Sequence, residues 1–360
     1  MLMRAVIFSD VHIHPFQPFS RVDSETGLNS RLLDCVSAFR QAREYCKRND
    51  IGYCLNGGDL LHKGATVQAD VLELLVHELM EFKLENIEVI SVTGQHDFLK
   101  RDGIYNLPKA LSPLMTVLNE PGDYEDYYDD YDGMRIIGCS YRDGLENQRE
   151  ALRKCGNSIN PKKTNIFLGH FMVQEILKKN AAPFDTSGYV SLDDFPKGLD
   201  WIFLGDYHYH VNIPSRRIVS IGGLLQHSFG DKNREQGAFL DVDFSQVKDG
   251  IIDMKRIEVE APMFIKVKVG EEFPGKYSPK NFYAVEIENE KQQDQISAKL
   301  DDSWNVTFPR KLSEEEEQLT QVSDGVSVDI EMAPEEVIKR FCKHFGLDTN
   351  YLERGLTYIQ

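Results

Sequence analysis

The sequence predicts an α/β fold, on two observations. Short apolar runs alternate with amphipathic helical stretches from the start through residue 93, which argues for parallel strands joined by helical crossovers. Five apolar runs along the whole chain end in Gly or Ser and then in Asp or His, which puts polar residues where strands give way to loops, the edge at which open α/β sheets bind ligands.

Ala5-Val-Ile-Phe8 is the first buried strand, and Asp10 and His12 follow it. Residues 30–48 form an amphipathic helix with Ser30 as N-cap and Leu32, Leu33, Val36, Phe39 and Cys46 near one face. Ile51–Leu55 is the next strand and leads to Gly57-Gly-Asp59. A second helix spans residues 67–84. Ile87–Val92 leads to Gly94-Gln-His-Asp97, and Leu107–Leu111 is a short helix. Residues 119–132 carry seven acidic side chains and no basic one, and read as a solvated hairpin or loop. Met134–Cys139 is a strand; Asn165–Leu168 precedes Gly169-His170, and Trp201–Leu204 precedes Gly205-Asp-Tyr-His208. Residues 180–198 read as loop. Strands are expected from Ile218, over Ala238–Phe244 and over Ile251–Val259.

Ala261-Pro262 reads as a boundary. The expected organisation is a main domain over 1–261, a small α+β module over 262–310, an acidic linker over 311–333 and a helical segment over 334–360. In the module, Phe264–Val269 and Phe282–Ile287 are strands and a polar helix lies near 290–300. In the tail, Pro334 opens a helix through Phe345 whose Val337, Ile338, Phe341, Cys342 and Phe345 share a stripe.

The chain has 360 residues, is 41% hydrophobic and carries a net charge of −17. It holds no run of 18 apolar residues and no signal-peptide pattern, so it reads as cytoplasmic without a membrane partner. The six cysteines show no CxxC spacing and read as buried free thiols. Such acidity is unusual for a nucleic-acid binder, but bound divalent cations reverse the local field of a groove.

Asp, His and amide side chains gathered at strand ends suit two adjacent divalent ions, since a carboxylate bridges metals and mixed oxygen and imidazole donors fit Mn, Fe or Zn. Two ions about 3.5–4 Å apart hold the attacking and leaving oxygens of a phosphoester in line, and each lowers the pKa of a water it holds.

Asp10-x-His12, Gly-Asp59, Gly-x-His96-Asp97, Gly-His170 and Gly-Asp-x-His208 resemble the calcineurin-like metallophosphoesterases. Gly58-Asp-Leu-Leu-His62, Ile221-Gly-Gly-Leu-Leu225, Ser228-Phe-Gly-Asp231 and Gly237–Asp243 narrow the resemblance to the SbcD-type nucleases of double-strand-break repair, which include the phage recombination endonuclease subunit. It covers roughly residues 3–300. It implies two packed β-sheets flanked by helices, a small capping module, and a metal-dependent DNA exonuclease and endonuclease working with an SbcC-type SMC-like ATPase. It also implies a homodimer within a heterotetramer, with residues 67–84 and 104–115 as candidate dimer helices.

By position, the resemblance assigns one ion to Asp10, His12 and His208, a bridge to Asp59, and the other ion to Gln95, His170 and Asp206. Mn2+ is the expected metal, with Mg2+, Fe2+ or Zn2+ as further candidates. His96 would protonate the leaving oxygen, Asp97 would orient its ring, and His62 would face the DNA. The chain departs from the pattern twice. Gln95 stands for the usual Asn, so the site must shift or the second ion loosens, and Asp206 stands for the usual His. His208-x-His210 offers a rival register to the one set by Gly205. Lys100, Arg101, Arg216 and Arg217, with Lys232 and Arg234, follow motif loops and are candidates for backbone phosphates. His14 and His227 lie near the motifs, whereas His77 and His344 read as surface or half-buried residues. Two other functions stay open: a stand-alone phosphodiesterase for nucleotides or small phosphoesters, and a DNA-end scaffold with a weakened second metal site.

Overall fold

The structure, a computed structural model, describes residues 4–98, 106–127, 133–180, 186–230, 235–247, 250–275 and 277–309. In chain order its elements are β1 (Arg4–Phe8), α1 (Ser30–Arg48), β2 (Tyr53–Asn56), α2 (Ala69–Leu84), β3 (Glu88–Ser91), α3 (Leu107–Ala110), β4 (Thr116–Val117), β5 (Tyr124–Tyr127), β6 (Met134–Cys139), α4 (Leu145–Cys155), β7 (Thr164–His170), α5 (Gln174–Asn180), β8 (Trp201–Gly205), β9 (Val211–Ile213), β10 (Ile218–Ser220), β11 (Ala238–Asp243), β12 (Asp253–Glu258), β13 (Phe264–Val267), β14 (Phe282–Val285), α6 (Glu290–Ser297) and β15 (Asn305–Thr307).

Two six-stranded sheets pack face to face, in the orders β12-β11-β1-β2-β3-β4 and β5-β6-β7-β8-β10-β9. Each has a parallel centre, β1 to β4 in one and β6, β7, β8 and β10 in the other. Antiparallel strands flank both centres. Alternation along the strands explains the continuous apolar runs, because both faces are covered. In β1, Ala5 and Ile7 enter the core between the sheets, while Val6 and Phe8 pack under α1 and α2. In β8, Trp201 and Phe203 face the inter-sheet core, and Ile202 and Leu204 face the outer cluster that takes Ala151, Leu152 and Cys155 of α4 and Ile176 of α5.

Several boundaries differ from the sequence reading. The cap of α1 is Asn29, whose side chain accepts from the Arg31 and Leu32 amides, so Ser30 is its first helical residue. α4 has no counterpart among the expected elements, because its apolar residues are few among Glu, Gln, Arg and Lys. The acidic segment does begin as a hairpin strand, with β5 antiparallel to β6. The small module is a parallel sheet, β13-β14-β15, with α6 before its last strand and its own core of Val267, Phe273, Tyr283 and Val285. The five cysteines among the described residues are free and buried. No helix among the described residues is long and apolar enough to cross a membrane. The linker and the tail helices of residues 311–360 lie outside the described residues, as do Lys100, Arg101, Lys232, Arg234 and Cys342.

Candidate metal centre

The carboxyl ends of the two parallel centres meet at one edge of the sandwich. β1, β2 and β3 deliver Asp10 and His12, Asp59, and Gln95 and His96; β7 and β8 deliver His170, Asp206 and His208. Hydrogen bonds cross from sheet to sheet there. His170 Nδ1–H donates to the Gly57 carbonyl at 2.7 Å, and the Asp206 amide donates to Asp10 Oδ2 at 3.2 Å. The approach is close enough to require glycine. A Cβ on Gly94 would strike the Asp59 carboxylate and lie 2.6 Å from His170 Nε2, and one on Gly205 would lie 2.8 Å from His170 Nδ1. Asp10, His12, Asp59 and Asp206 all take positive φ (55°, 46°, 51° and 82°), a conformation that non-glycine residues hold only where the surroundings impose it.

Four of these side chains are each tied by one atom and present another. Asp10 Oδ2 accepts from the Ser9 hydroxyl at 2.5 Å as well as from Asp206, while Oδ1 has no donor. Asp59 Oδ1 accepts the His96 amide at 2.9 Å, and Oδ2 has none. Gln95 Nε2 donates to Asp206 Oδ1 at 2.8 Å, leaving Oε1 without a donor. With Nδ1 of His170 held as a donor, Nε2 is the nitrogen left to face the carboxylates, forming no hydrogen bond with any of them, and it takes up either a proton or a cation. Four buried polar atoms left unsatisfied together are a heavy cost. Cations would offset it, and the donor set of carboxylate and amide oxygens with imidazole nitrogens fits divalent transition metals.

Two groupings share Asp10: Asp10 with His12 and His208, and Asp10 with Asp59 and His170. Asp59 Oδ2 lies 3.7 Å from His12 Nε2 and 3.4 Å from His170 Nε2, which suits a bridge. His208 Nε2 lies 3.6 Å from Asp10 Oδ1 and 3.3 Å from His12 Nε2. His210 turns away, its Nδ1 donating to the Ile221 carbonyl at 3.3 Å, so the register set by Gly205 is the one that reaches the cluster.

Burial, then the surrounding imidazoles, hold the His12 pKa well below its ordinary value; burial, then His96, lowers His62 to about 4. Both rings are therefore neutral near pH 7, the form that ligates or accepts. Burial also opposes a proton on His170, but Asp59, Asp10 and Asp206 outweigh it and raise its pKa well above the usual imidazole range. The protein's own charges thus call for positive charge at this point.

Asp97 does not sit as the sequence suggests, whereas His62 lies beside the cluster. His96 Nδ1–H donates to the His62 carbonyl at 3.1 Å, whereas the Asp97 carboxylate accepts the Leu61 and Gly94 amides, both at 2.9 Å. Asp97 is therefore a buried clasp between two loops, and burial, then the Asp59 charge, pushes its carboxyl up to about 7. The His62 ring stacks on His96, with centroids 5.0 Å apart and planes at 13°, and its Nδ1 lies 3.5 Å from His12 Nδ1. His14 and His227 join the cluster, His14 against His62 at 5.1 Å and His227 against His12 at 5.1 Å. Sequence reading gives His227 no definite role, since it lies in a loop after β10 rather than at a central strand end. Arg216 and Arg217 are not brought to the site. They sit on the exposed turn before β10, where the Arg217 carbonyl accepts from Ile202 at the start of β8, the end of the strand remote from Asp206. His77 is exposed, as expected.

The two departures from the family pattern meet in one hydrogen bond. A longer amide at 95 reaches a shorter acid at 206, so neither leaves a gap. We expect Gln95→Asn and Asp206→His each to weaken metal binding by calorimetry, and the double variant to recover most of the loss. Additive losses would show that the pair is not a unit.

Residues 3–210 match the calcineurin-like phosphoesterase family. The chain is 25% identical over 255 residues to the DNA double-strand break repair protein Mre11 of Saccharolobus solfataricus, covering 68% of this chain and 61% of that protein. It is 26% identical over 203 residues to a subunit of the nuclease SbcCD of Staphylococcus saprophyticus, covering 52% of this chain and 54% of that protein. The matches thus span somewhat more than half the length of these curated relatives. Among solved structures, a dimetal phosphatase from Danio rerio aligns with a TM-score of 0.43 at 11% identity, over 71% of this chain and 96% of that one, a likeness too slight to bear on function.

Proposed function

The chain belongs to the calcineurin-like phosphoesterase family, and we propose that within it the protein is a two-metal DNA nuclease that processes DNA ends in repair or recombination. The observation that carries this reading is the set of four orphaned atoms, Asp10 Oδ1, Asp59 Oδ2, Gln95 Oε1 and His170 Nε2, held by their other ends at one sheet edge. The names of the low-identity relatives supply the substrate class.

Asp10, His12 and His208 would hold one ion, Gln95, His170 and Asp206 the other, and Asp59 both. When bound, such a pair orients a phosphodiester and makes a water nucleophilic near neutral pH. The chain's own residues do the rest. Ser9 and the Asp206 amide fix Asp10 so that one oxygen alone faces the centre. The Gly57 carbonyl sets the His170 tautomer. His96, tied through Nδ1 to the His62 carbonyl, presents Nε2 as the proton donor for the leaving oxygen. His62 shapes the proton donor and backs His12 at once. Mn2+ is the proposed metal.

The test is Mn2+-dependent digestion of a linear DNA duplex. Hydrolysis of a small chromogenic phosphodiester alone would indicate an enzyme for small phosphoesters, and metal binding without cleavage a DNA-end scaffold. His96→Ser should bind Mn2+ as the native protein does yet cleave DNA roughly 10²–10⁴-fold more slowly. Loss of metal binding in that variant would make His96 a ligand instead.

The partner in this reading is an SMC-like ATPase of the SbcC type, docked by residues 334–360, which the sequence predicts as helical. Two nuclease chains would pair through α2, where Met80 and Leu84 are exposed, and the region of α3. Removing residues 313–360 should leave Mn2+-dependent cleavage intact and abolish capture by the purified ATPase. An insoluble or inactive truncation would place those helices in the core, and light scattering of the intact chain tests the dimer.

A further inference from the structure

Arg31 stands in the first turn of α1, yet only 2% of its surface is exposed. Its guanidinium donates to the Pro18 carbonyl at 3.0 Å and to the His227 carbonyl at 3.2 Å. It also lies 5.3, 4.7 and 4.9 Å from the ring centroids of Phe16, Phe264 and Phe282. Phe16 and Pro18 belong to the loop after His12, and His227 to the loop after β10. Phe264 opens β13 and Phe282 opens β14, both in the small module. A buried cation is costly unless its donors are used and its charge is met. Two carbonyls and three ring faces contribute to that, and they come from both sides of the interface between main domain and module. Burial raises the carboxyl of Asp34, three residues on in α1, to about 6, against the pull of Arg31.

The other end of this contact is the metal cluster. The His227 ring packs 5.1 Å from His12 and 6.1 Å from His208, and its Nε2 lies 3.4 Å from the carbonyl of Asp10, whose backbone is left-handed. Phe16 closes the circuit, 5.1 Å from His227 and 4.8 Å from His62. We propose that Arg31 is a positioning residue that couples the small module to the metal centre, holding the His227 loop with a guanidinium that the rings of β13 and β14 help to fix. The proposal rests on reading the cluster as a metal centre. A displacement of the module withdraws two of the three ring faces from Arg31, and the guanidinium that donates to the His227 carbonyl is then held by fewer contacts. The ring that backs His12 and His208 is then free to shift, so the position of the module is read out at the metal ligands.

The experiment uses the full chain and measures the Mn2+ dissociation constant by calorimetry, with circular dichroism to confirm folding. Arg31→Lys keeps the charge but loses the planar fork and the stacking. Phe282→Leu alters only the module, leaving every group of the metal cluster in place. Arg31→Lys should raise the Mn2+ dissociation constant roughly 10-fold, the scale of a group that supports a ligand. Phe282→Leu should raise it less, and the double variant no more than Arg31→Lys alone, because both act through one contact. If Arg31→Lys fails to fold, Phe282→Leu alone decides. A folded variant of either kind that binds Mn2+ as the native chain does reduces Arg31 to a docking residue and overturns the proposal. A native chain that binds Mn2+ but does not cut DNA sinks the nuclease reading alone, and one that binds no Mn2+ sinks both.

Discussion

The hydrogen bond from His170 Nδ1 to the Gly57 carbonyl joins the end of one sheet to the end of the other, and the centre is built around it. It brings β7 against the loop after β2 at a separation that leaves no room for a side chain at Gly94 or Gly205. It fixes which imidazole nitrogen faces inward. Without it the two parallel centres would still pack through Ile7, Leu168 and Phe203, but their polar ends would have no fixed distance.

From that joint follows a division of labour within each side chain. Asp10, Asp59, Gln95 and His170 each commit one polar atom to the protein and keep the other for the centre. A side chain tied at both ends would be inert, and one tied at neither would adopt several rotamers. The arrangement fixes these atoms without any ion present, and positive φ at Asp10 and Asp59 is part of what that costs in folding stability. The net charge of −17 does not by itself set the field at this point, because cations held by these carboxylates would reverse it.

Around the centre lies a wall of imidazole and aromatic rings that is not uniform in purpose. His12 and His208 face Asp10 directly. His62 and His96 stack on each other, held by a backbone carbonyl. His227 and Phe16 stand behind, and Arg31 behind them. The rings grade from atoms that would touch a metal to atoms that touch only the small module.

The sequence by itself determined the α/β class, most strand and helix bounds, and the ligand candidates at five strand ends. Those signals are local: a run of apolar residues with both faces buried, then a glycine, then a donor. Tertiary structure alone decided what depends on the approach of distant segments. It set His208 rather than His210 in the centre, because the chain turns His210 toward Ile221. It gave Asp97 two backbone amides to hold instead of the His96 ring, and it left Arg216 and Arg217 at the far end of β8. It matched the longer Gln95 to the shorter Asp206 across 111 positions of chain. It buried Arg31, which in sequence is one more charged residue at a helix start, because only the folded chain brings Pro18, His227, Phe264 and Phe282 around one guanidinium. Spacing along a chain specifies which residues reach a sheet edge; the partners they find there are set by packing between elements that share no periodicity.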